Sequence, residues 1–88
     1  MTYRVTLSET AARQLRKLPK EVCDRIVRTL QFLREDPFRS RPKVDILPIQ
    51  GTDPRKYRLR VGDYRAVYAV LGNEVQVIEV FSRGRGYR

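Results

Sequence analysis

The stretch from residue 56 to residue 81 constrains the fold most, because it reads as two consecutive β-hairpins. Residues 57–61 alternate apolar and basic side chains, which is the pattern of a half-buried strand. The Gly-Asp pair at 62–63 and a later Gly-Asn pair are two-residue turn sequences, because glycine adopts the backbone angles that tight turns need. Residues 64–71 and 74–81 are rich in β-branched and aromatic types, so we predict three successive antiparallel strands.

A two-residue turn also fixes the register of the first hairpin. With Gly62 and Asp63 as the loop, Arg60 lies directly opposite Arg65. The other predicted pairs are Val61 with Tyr64, Leu59 with Ala66, and Tyr57 with Tyr68. These apolar pairs share one face of the sheet, and the arginines, including Arg58, share the other.

The arginine-bearing face is the more informative of the two. Like charges directly opposite each other destabilise a sheet by up to roughly 1 kcal/mol per pair. An anion between them relieves that repulsion, and guanidinium groups bind phosphate oxygens through two parallel hydrogen bonds. The pattern therefore indicates a phosphate-binding face, with a solvated basic strand face as the alternative.

Size and charge set the broad class. The chain has 88 residues, and we predict one domain spanning residues 1–88. Its net charge of +9 and pI near 10.4 favour a nucleic acid, a ribosome or an acidic protein as partner. The sequence contains no membrane-spanning apolar run and no signal-peptide pattern. Cys23 is the only cysteine, so we expect a reducing compartment and a cytoplasmic location.

The N-terminal half predicts one strand and a helical hairpin. Residues 3–7 alternate as a short strand, and Ser8 is a suitable N-cap for a helix over residues 9–17. A second amphipathic helix is predicted over residues 20–35. The apolar faces of both helices need a surface to cover, and the sheet is the one available.

Residues 37–54 contain four of the five prolines, so we interpret them as an irregular connection. Four apolar residues within it are expected to dock on the edge of the core: Val44, Ile46, Leu47 and Ile49. The predicted element order is β-α-α-β-β-β, an α+β fold. The N-terminal strand joins the sheet of the C-terminal meander, and the helices cover one face.

Several kinds of site are excluded by composition. The chain has no histidine, which excludes histidine-based acid–base catalysis. The acidic residues are scattered along the sequence, with Asp63 in a turn and Glu79 isolated on a strand, so we predict no metal site. There is no glycine-rich phosphate loop, and we expect no small-molecule cofactor.

The remaining candidates are arginines and a tyrosine, and they suit one reaction. RNA can be cleaved by its own 2′-OH, so the protein needs to align the reacting atoms and stabilise the charge that develops on phosphorus. Arginine suits that stabilising role but is a poor proton acceptor, because its pKa lies above about 12. Tyr87 is a candidate proton donor or stacking platform. The general base is left open, and a frayed basic end is the alternative for the C-terminal residues.

Two runs of sequence resemble a known family of proteins. GTDPRKYRLRVGDYRAVYAV and EVQVIEVFSRGRGYR are similar to the RelE/ParE superfamily of toxin–antitoxin toxins, and especially to RelE and its archaeal members. The resemblance covers the whole chain, including the TYRV opening, LPKEV between the helices and the IQG loop.

The resemblance implies a type II toxin that is a ribosome-dependent, metal-independent endoribonuclease. Such a toxin cuts mRNA in the ribosomal A site and is neutralised by an acidic, RelB-like antitoxin. By position, the implied catalytic residues are Arg58, Arg60, Arg65, Arg85 and Tyr87. The implied RNA contacts are Arg58, Arg60, Arg83 and Arg88, with Arg83 also the second match for the catalytic Arg85.

One departure from the family pattern and two alternative functions accompany that interpretation. Bacterial relatives usually carry lysines where this chain has Arg58 and Arg60, which removes the side chains best suited to accept a proton. ParE-like members share the fold but act on DNA gyrase and are not nucleases. The closely spaced arginines favour RelE over ParE, and a basic RNA-binding module without catalysis is the third possibility.

Overall fold

In the computed structural model, which describes residues 2–83, two helices pack on one face of a five-stranded sheet. The elements in chain order are β1 (Arg4–Leu7), α1 (Glu9–Arg16), α2 (Lys20–Gln31), a 3₁₀ turn (Phe32–Arg34), β2 (Asp45–Ile49), β3 (Lys56–Val61), β4 (Tyr64–Leu71) and β5 (Glu74–Ser82). The strand order is β1-β5-β4-β3-β2, with β1 parallel to β5 and the other pairs antiparallel. The predicted α+β fold, with the N-terminal strand in the same sheet, is confirmed.

Ser8 joins the first helix to an irregularity in β5. The pairing of β5 with β4 skips Ile78, because Glu79 and Val77 oppose consecutive residues of β4. The hydroxyl of Ser8 donates to the carbonyl of Ile78 at 2.7 Å and accepts from the N–H of Ala11 at 2.9 Å. The predicted N-cap therefore also satisfies a carbonyl at the bulge, and this fixes α1 against the sheet.

The core lies between the helices and the sheet. Ile26 and Leu30 of α2 and Leu33 of the 3₁₀ turn are buried against it, as the helical spacing predicts. Tyr68 of β4 is fully buried, and its hydroxyl donates to the carbonyl of Pro37 at 2.6 Å. Burial is the main cause that raises the pKa of Tyr68 above its ordinary value, with smaller contributions from neighbouring charges.

One strand was not predicted. Residues 45–49, within the stretch interpreted as irregular, form β2 at the edge of the sheet, so the order is β-α-α-β-β-β-β. The prolines of this stretch led to the prediction of an irregular connection. An edge strand tolerates Pro48, however, because only one of its sides needs ladder hydrogen bonds. Val44 and Ile46 are buried as expected. Leu47 is 52% exposed, so its docking was predicted wrongly, because strand alternation turns it to the other face.

Within the described part of the chain, no helix is both long and apolar enough to cross a membrane.

Candidate functional site

The sheet face away from the helices carries the predicted arginines, and we call it the arginine face: Arg58, Arg60 and Arg65 with their neighbours. The predicted register is confirmed, because Arg60 opposes Arg65 and Arg58 opposes Val67. On the other side of β3, Asp45 opposes Arg60. A row of side chains thus crosses three strands, from Asp45 through Arg60 to Arg65.

Arg65 is held against the β3–β4 turn. Its guanidinium donates from Nη1 to the carbonyl of Gly62 at 3.2 Å and to that of Tyr64 at 3.1 Å. These two bonds orient one edge of the guanidinium. Both bonds come from Nη1, and the N–H groups on Nε and Nη2 are donors of the kind that binds an anion.

The surroundings of Arg65 disfavour its charge. Desolvation lowers its pKa first, and repulsion from Arg60, Arg58 and Arg83 lowers it further, while Asp45 opposes the shift. Arg65 is therefore repelled by three neighbouring arginines. A phosphate in their midst would remove the repulsion, which is the electrostatic signature of an anion site.

Arg83 reaches this group through the end of β5. Its backbone N–H donates to the carbonyl of Asp63 at 2.6 Å, so the chain leaving β5 is tied to the β3–β4 turn. The side chain of Arg83 is exposed. The β3–β4 turn therefore keeps two arginines in the same region of the surface: Arg65 near the start of β4, and Arg83 directly after β5.

The structure brings together four of the predicted site residues: Arg58, Arg60, Arg65 and Arg83. Arg85, Tyr87 and Arg88 lie outside the described residues, and their roles stay predictions.

Sequence reasoning missed Asp45 as a neighbour of this group. Its carboxylate lies 3.9 Å from Nη1 of Arg60, and both side chains are 59% exposed. The signal was the alternation of buried Val44 and Ile46 with exposed Asp45 and Leu47, which marks a strand. Pro48 masked that alternation.

A groove opens beside the arginine face, between α2 and the ends of β2 and β3. Its volume is about 630 Å³. The lining residues are Arg25, Arg28, Thr29, Phe32, Lys43, Asp45, Arg60, Val61 and Gly62. Asp45 is its one carboxylate among the described residues, and Arg60 and Asp45 belong to both groove and face.

Gly62 permits the close approach of this helix to the turn. Its φ is +59°, and a Cβ there would lie 2.9 Å from Nη2 of Arg25. The turn therefore has the guanidinium of Arg25 on the groove side, while its carbonyl accepts from Arg65. The positive φ favours glycine here, and a larger residue would also displace the guanidinium of Arg25.

A second groove, of about 430 Å³, lies between α1 and the end of β5. Its wall contains Leu18, Tyr64, Val80 and Phe81 beside Arg13 and Lys17. The side chain of Gln14, which also lines it, accepts from the N–H of Val80 at 2.5 Å. A groove with apolar walls and cationic rims suits an acidic amphipathic segment.

Comparison with known proteins gives a consistent result. The family model of the ParE toxin of the type II toxin–antitoxin system parDE matches residues 5–87. A chain of the archaeal RelE–RelB complex from Pyrococcus horikoshii OT3 superposes with a TM-score of 0.81 at 32% identity, covering 98% of this chain and 100% of that one.

Two more relatives agree with it. A chain of the toxin–antitoxin complex RelBE2 from Mycobacterium tuberculosis has a TM-score of 0.74 at 26% identity, covering 94% of this chain and 100% of that one. The RelE1 protein of Methanocaldococcus jannaschii is 28% identical over 87 residues, which are 98% of this chain and 94% of that protein.

Proposed function

This chain belongs to the RelE/ParE family of toxins from type II toxin–antitoxin systems, and we propose that it cleaves mRNA in the ribosomal A site as a RelE-type toxin. The observation that carries this proposal is the group of four arginines on the open face of the sheet, Arg58, Arg60, Arg65 and Arg83. We take residues 1–88 as one toxin domain acting in the cytoplasm, where translating ribosomes are found.

The arginine group fits the chemistry of RNA cleavage by an internal nucleophile. The 2′-oxygen attacks the adjacent phosphorus, the bond from phosphorus to the 5′-oxygen breaks, and negative charge builds on the phosphoryl oxygens. Arg60 and Arg65 are directly opposite each other on neighbouring strands, which supports a position for those oxygens between their guanidinium groups. Removing one such donor from a transition state typically costs about 10²–10³-fold in rate.

The ribosome has a defined part in this proposal. Orientation of the reacting atoms alone can supply about 7–11 kcal/mol of a barrier. Because the chain has no histidine for acid–base catalysis, we expect orientation by the ribosome to supply a large share of the rate. We therefore expect the protein to bind free RNA with steep salt dependence, as cationic surfaces do, yet to cut it poorly outside the ribosome.

We also propose a RelB-type antitoxin as the regulatory partner. The solved relatives include complexes named RelE–RelB, RelBE2 and RelBE. The net charge of +9 favours an acidic partner, and the groove between α1 and β5 offers apolar walls with Arg13 and Lys17 at its rim. Capture should be fast and salt-sensitive, because charge complementarity acts mainly on the association rate.

A ParE-type action on DNA gyrase is the second candidate, because the matching family model is that of ParE. The two functions differ in one measurable respect. A gyrase inhibitor stalls supercoiling and leaves mRNA intact, whereas a RelE-type toxin does the reverse.

The test is a programmed ribosome with an empty A site, run beside a gyrase supercoiling reaction. We expect cleavage within the A-site codon, a 5′-hydroxyl on one product and a 2′,3′-cyclic or 3′-phosphate on the other. Intact mRNA with stalled supercoiling would establish the ParE alternative. Intact mRNA with normal supercoiling would leave a binding module without catalysis.

A further inference from the structure

The proposed cleavage needs a proton acceptor that the arginines do not supply. The 2′-OH must lose its proton as it attacks, and guanidinium groups stay protonated because their pKa lies above about 12. The chain has no histidine to take that proton. A carboxylate on the same face of the sheet is the simplest remaining acceptor.

The register places two carboxylates close to the arginines. Glu79 opposes Val67 on β4, so it lies two positions along the strand from Arg65. Asp45 lies in the same row as Arg60 and Arg65, and its charge acts on Arg65 directly. Among the described carboxylates, Asp45 is therefore the one that shares a cross-strand row with Arg60 and Arg65, and it lies 3.9 Å from Nη1 of Arg60.

We propose that Asp45 is the general base of the cleavage reaction, an inference that rests on the nuclease function proposed above. A phosphate held between Arg60 and Arg65 has its neighbouring 2′-oxygen about 3–3.5 Å from phosphorus before attack. Asp45 lies at the end of the same row, 3.9 Å from Nη1 of Arg60, and its side chain is 59% exposed at the groove, so a carboxylate oxygen is accessible to a 2′-hydroxyl.

The step balances without a co-reactant. The 2′-OH proton passes to a carboxylate oxygen of Asp45, and its electron pair forms the bond from the 2′-oxygen to phosphorus. The bond to the 5′-oxygen breaks with its electron pair, and that oxygen takes a proton from water. The products are a 2′,3′-cyclic phosphate and a 5′-hydroxyl, and the proton on Asp45 returns to solvent.

A purely structural role for Asp45 is the competing explanation. Its 3.9 Å pair with Arg60 would then serve only to hold that arginine. The charged groups that face Asp45 are Arg60 and Arg65 on the sheet and Arg25, Arg28 and Lys43 around the groove. None of these groups is a carboxylate, so we assign an acid limb in the rate to Asp45 and not to them.

The experiment compares Asp45→Asn with Glu79→Gln as the matched control, in single turnovers on a programmed ribosome across a range of pH. Asp45→Asn should lose about 10²–10⁴-fold in rate, the usual contribution of a general base. It should also lose the acid limb of the pH profile that wild type shows. Glu79→Gln should keep both rate and profile.

Two further measurements separate catalysis from positioning. Asp45→Glu should recover part of the rate, and Asp45→Ala should be partly rescued by added formate, because each restores a carboxylate near the reacting hydroxyl. Thermal unfolding and ribosome binding should match wild type in all these variants.

Three outcomes would overturn the assignment of Asp45: an active Asp45→Asn variant, an acid limb that survives in it, or loss of rate in Glu79→Gln instead. An inactive wild-type protein would instead contradict the proposed nuclease function. The two failures are therefore distinguishable in the same assay.

Discussion

The two faces of the β3–β4 hairpin alternate along the same two strands yet carry opposite kinds of residue. On the helix side, Leu59, Ala66 and Tyr68 are completely buried. On the other side, Arg60 is exposed and faces Arg65 across the strands. Because successive side chains point to opposite faces, one hairpin both closes the core and presents the candidate site. Substitutions on the two faces should therefore separate stability from function.

The contrast between the faces is not simply apolar against charged. Val67 and Ala69 lie on the arginine face and are 1% and 3% exposed. Val67 has Arg58 opposite it on β3 and Glu79 opposite it on β5. The face thus has an apolar floor beside its arginines. A partly desolvated setting of this kind strengthens the attraction of guanidinium groups for an anion.

The largest effect on stability is expected from the covered face. Leu59→Ala removes a fully buried side chain from the core, which typically costs about 2–5 kcal/mol of unfolding free energy. Arg58→Ala, one position away on the same strand, should change it by less than about 1 kcal/mol. Chemical denaturation of the two variants measures the difference. Equal losses would mean that the arginine face is also part of the stabilising core.

The largest effect on function is expected from the open face. Arg65→Ala should lower A-site cleavage by about 10²–10³-fold, because it removes a donor to the developing charge. Its stability should stay within about 1 kcal/mol of wild type, since the lost bonds to Gly62 and Tyr64 are offset by relief of repulsion. The assay is single-turnover cleavage beside thermal unfolding. A variant that cleaves at the wild-type rate would remove Arg65 from the site.

The sequence prediction succeeded for the β3–β4 hairpin and failed for β2. Local signals defined the hairpin, because the turn at Gly62 fixes the register and hence the pairing of Arg60 with Arg65. β2 was missed because the periodicity that marks it is interrupted by Pro48, which only its edge position makes tolerable. Asp45 was missed for the same reason. Its closeness to Arg65 depends on a strand pairing that no local pattern encodes.

A smaller effect is expected where the core meets the loop after α2. Tyr68→Phe leaves the buried carbonyl of Pro37 without its 2.6 Å donor, which should cost about 1–3 kcal/mol. The raised pKa of Tyr68 means that the fold favours its neutral form. Wild type should therefore lose stability as the pH rises past about 10, where the unfolded tyrosine ionises first.

The Tyr68→Phe variant is also the control for the alkaline loss of stability expected of wild type. It has no hydroxyl at position 68 to ionise, so its stability should fall less steeply than that of wild type above about pH 10. Unfolding free energies measured from neutral to alkaline pH in both proteins test this. Parallel curves would show that Tyr68 does not carry the alkaline dependence.

The smallest effect tests whether the arginine face carries strain from its own charges. Arg60→Ala removes a like charge opposite Arg65 and an exposed pair with Asp45 that is worth about 0–1 kcal/mol at most. We expect a net gain in stability of a few tenths of a kcal/mol at low salt, because the repulsion involves the less exposed Arg65.

The gain should vanish at high salt, where surface charges are screened. In a double-mutant cycle, the gain should also vanish when Arg65 is already alanine, because that background has no repulsion between the two arginines to relieve. Arg58→Ala, opposite the neutral Val67, is the comparison that should show a smaller gain, because Arg58 repels Arg65 less than Arg60 does. If Arg60→Ala destabilised the protein equally in both backgrounds, the pairing of the two arginines would carry no strain, and relief of repulsion could no longer be counted among the reasons for an anion to bind there.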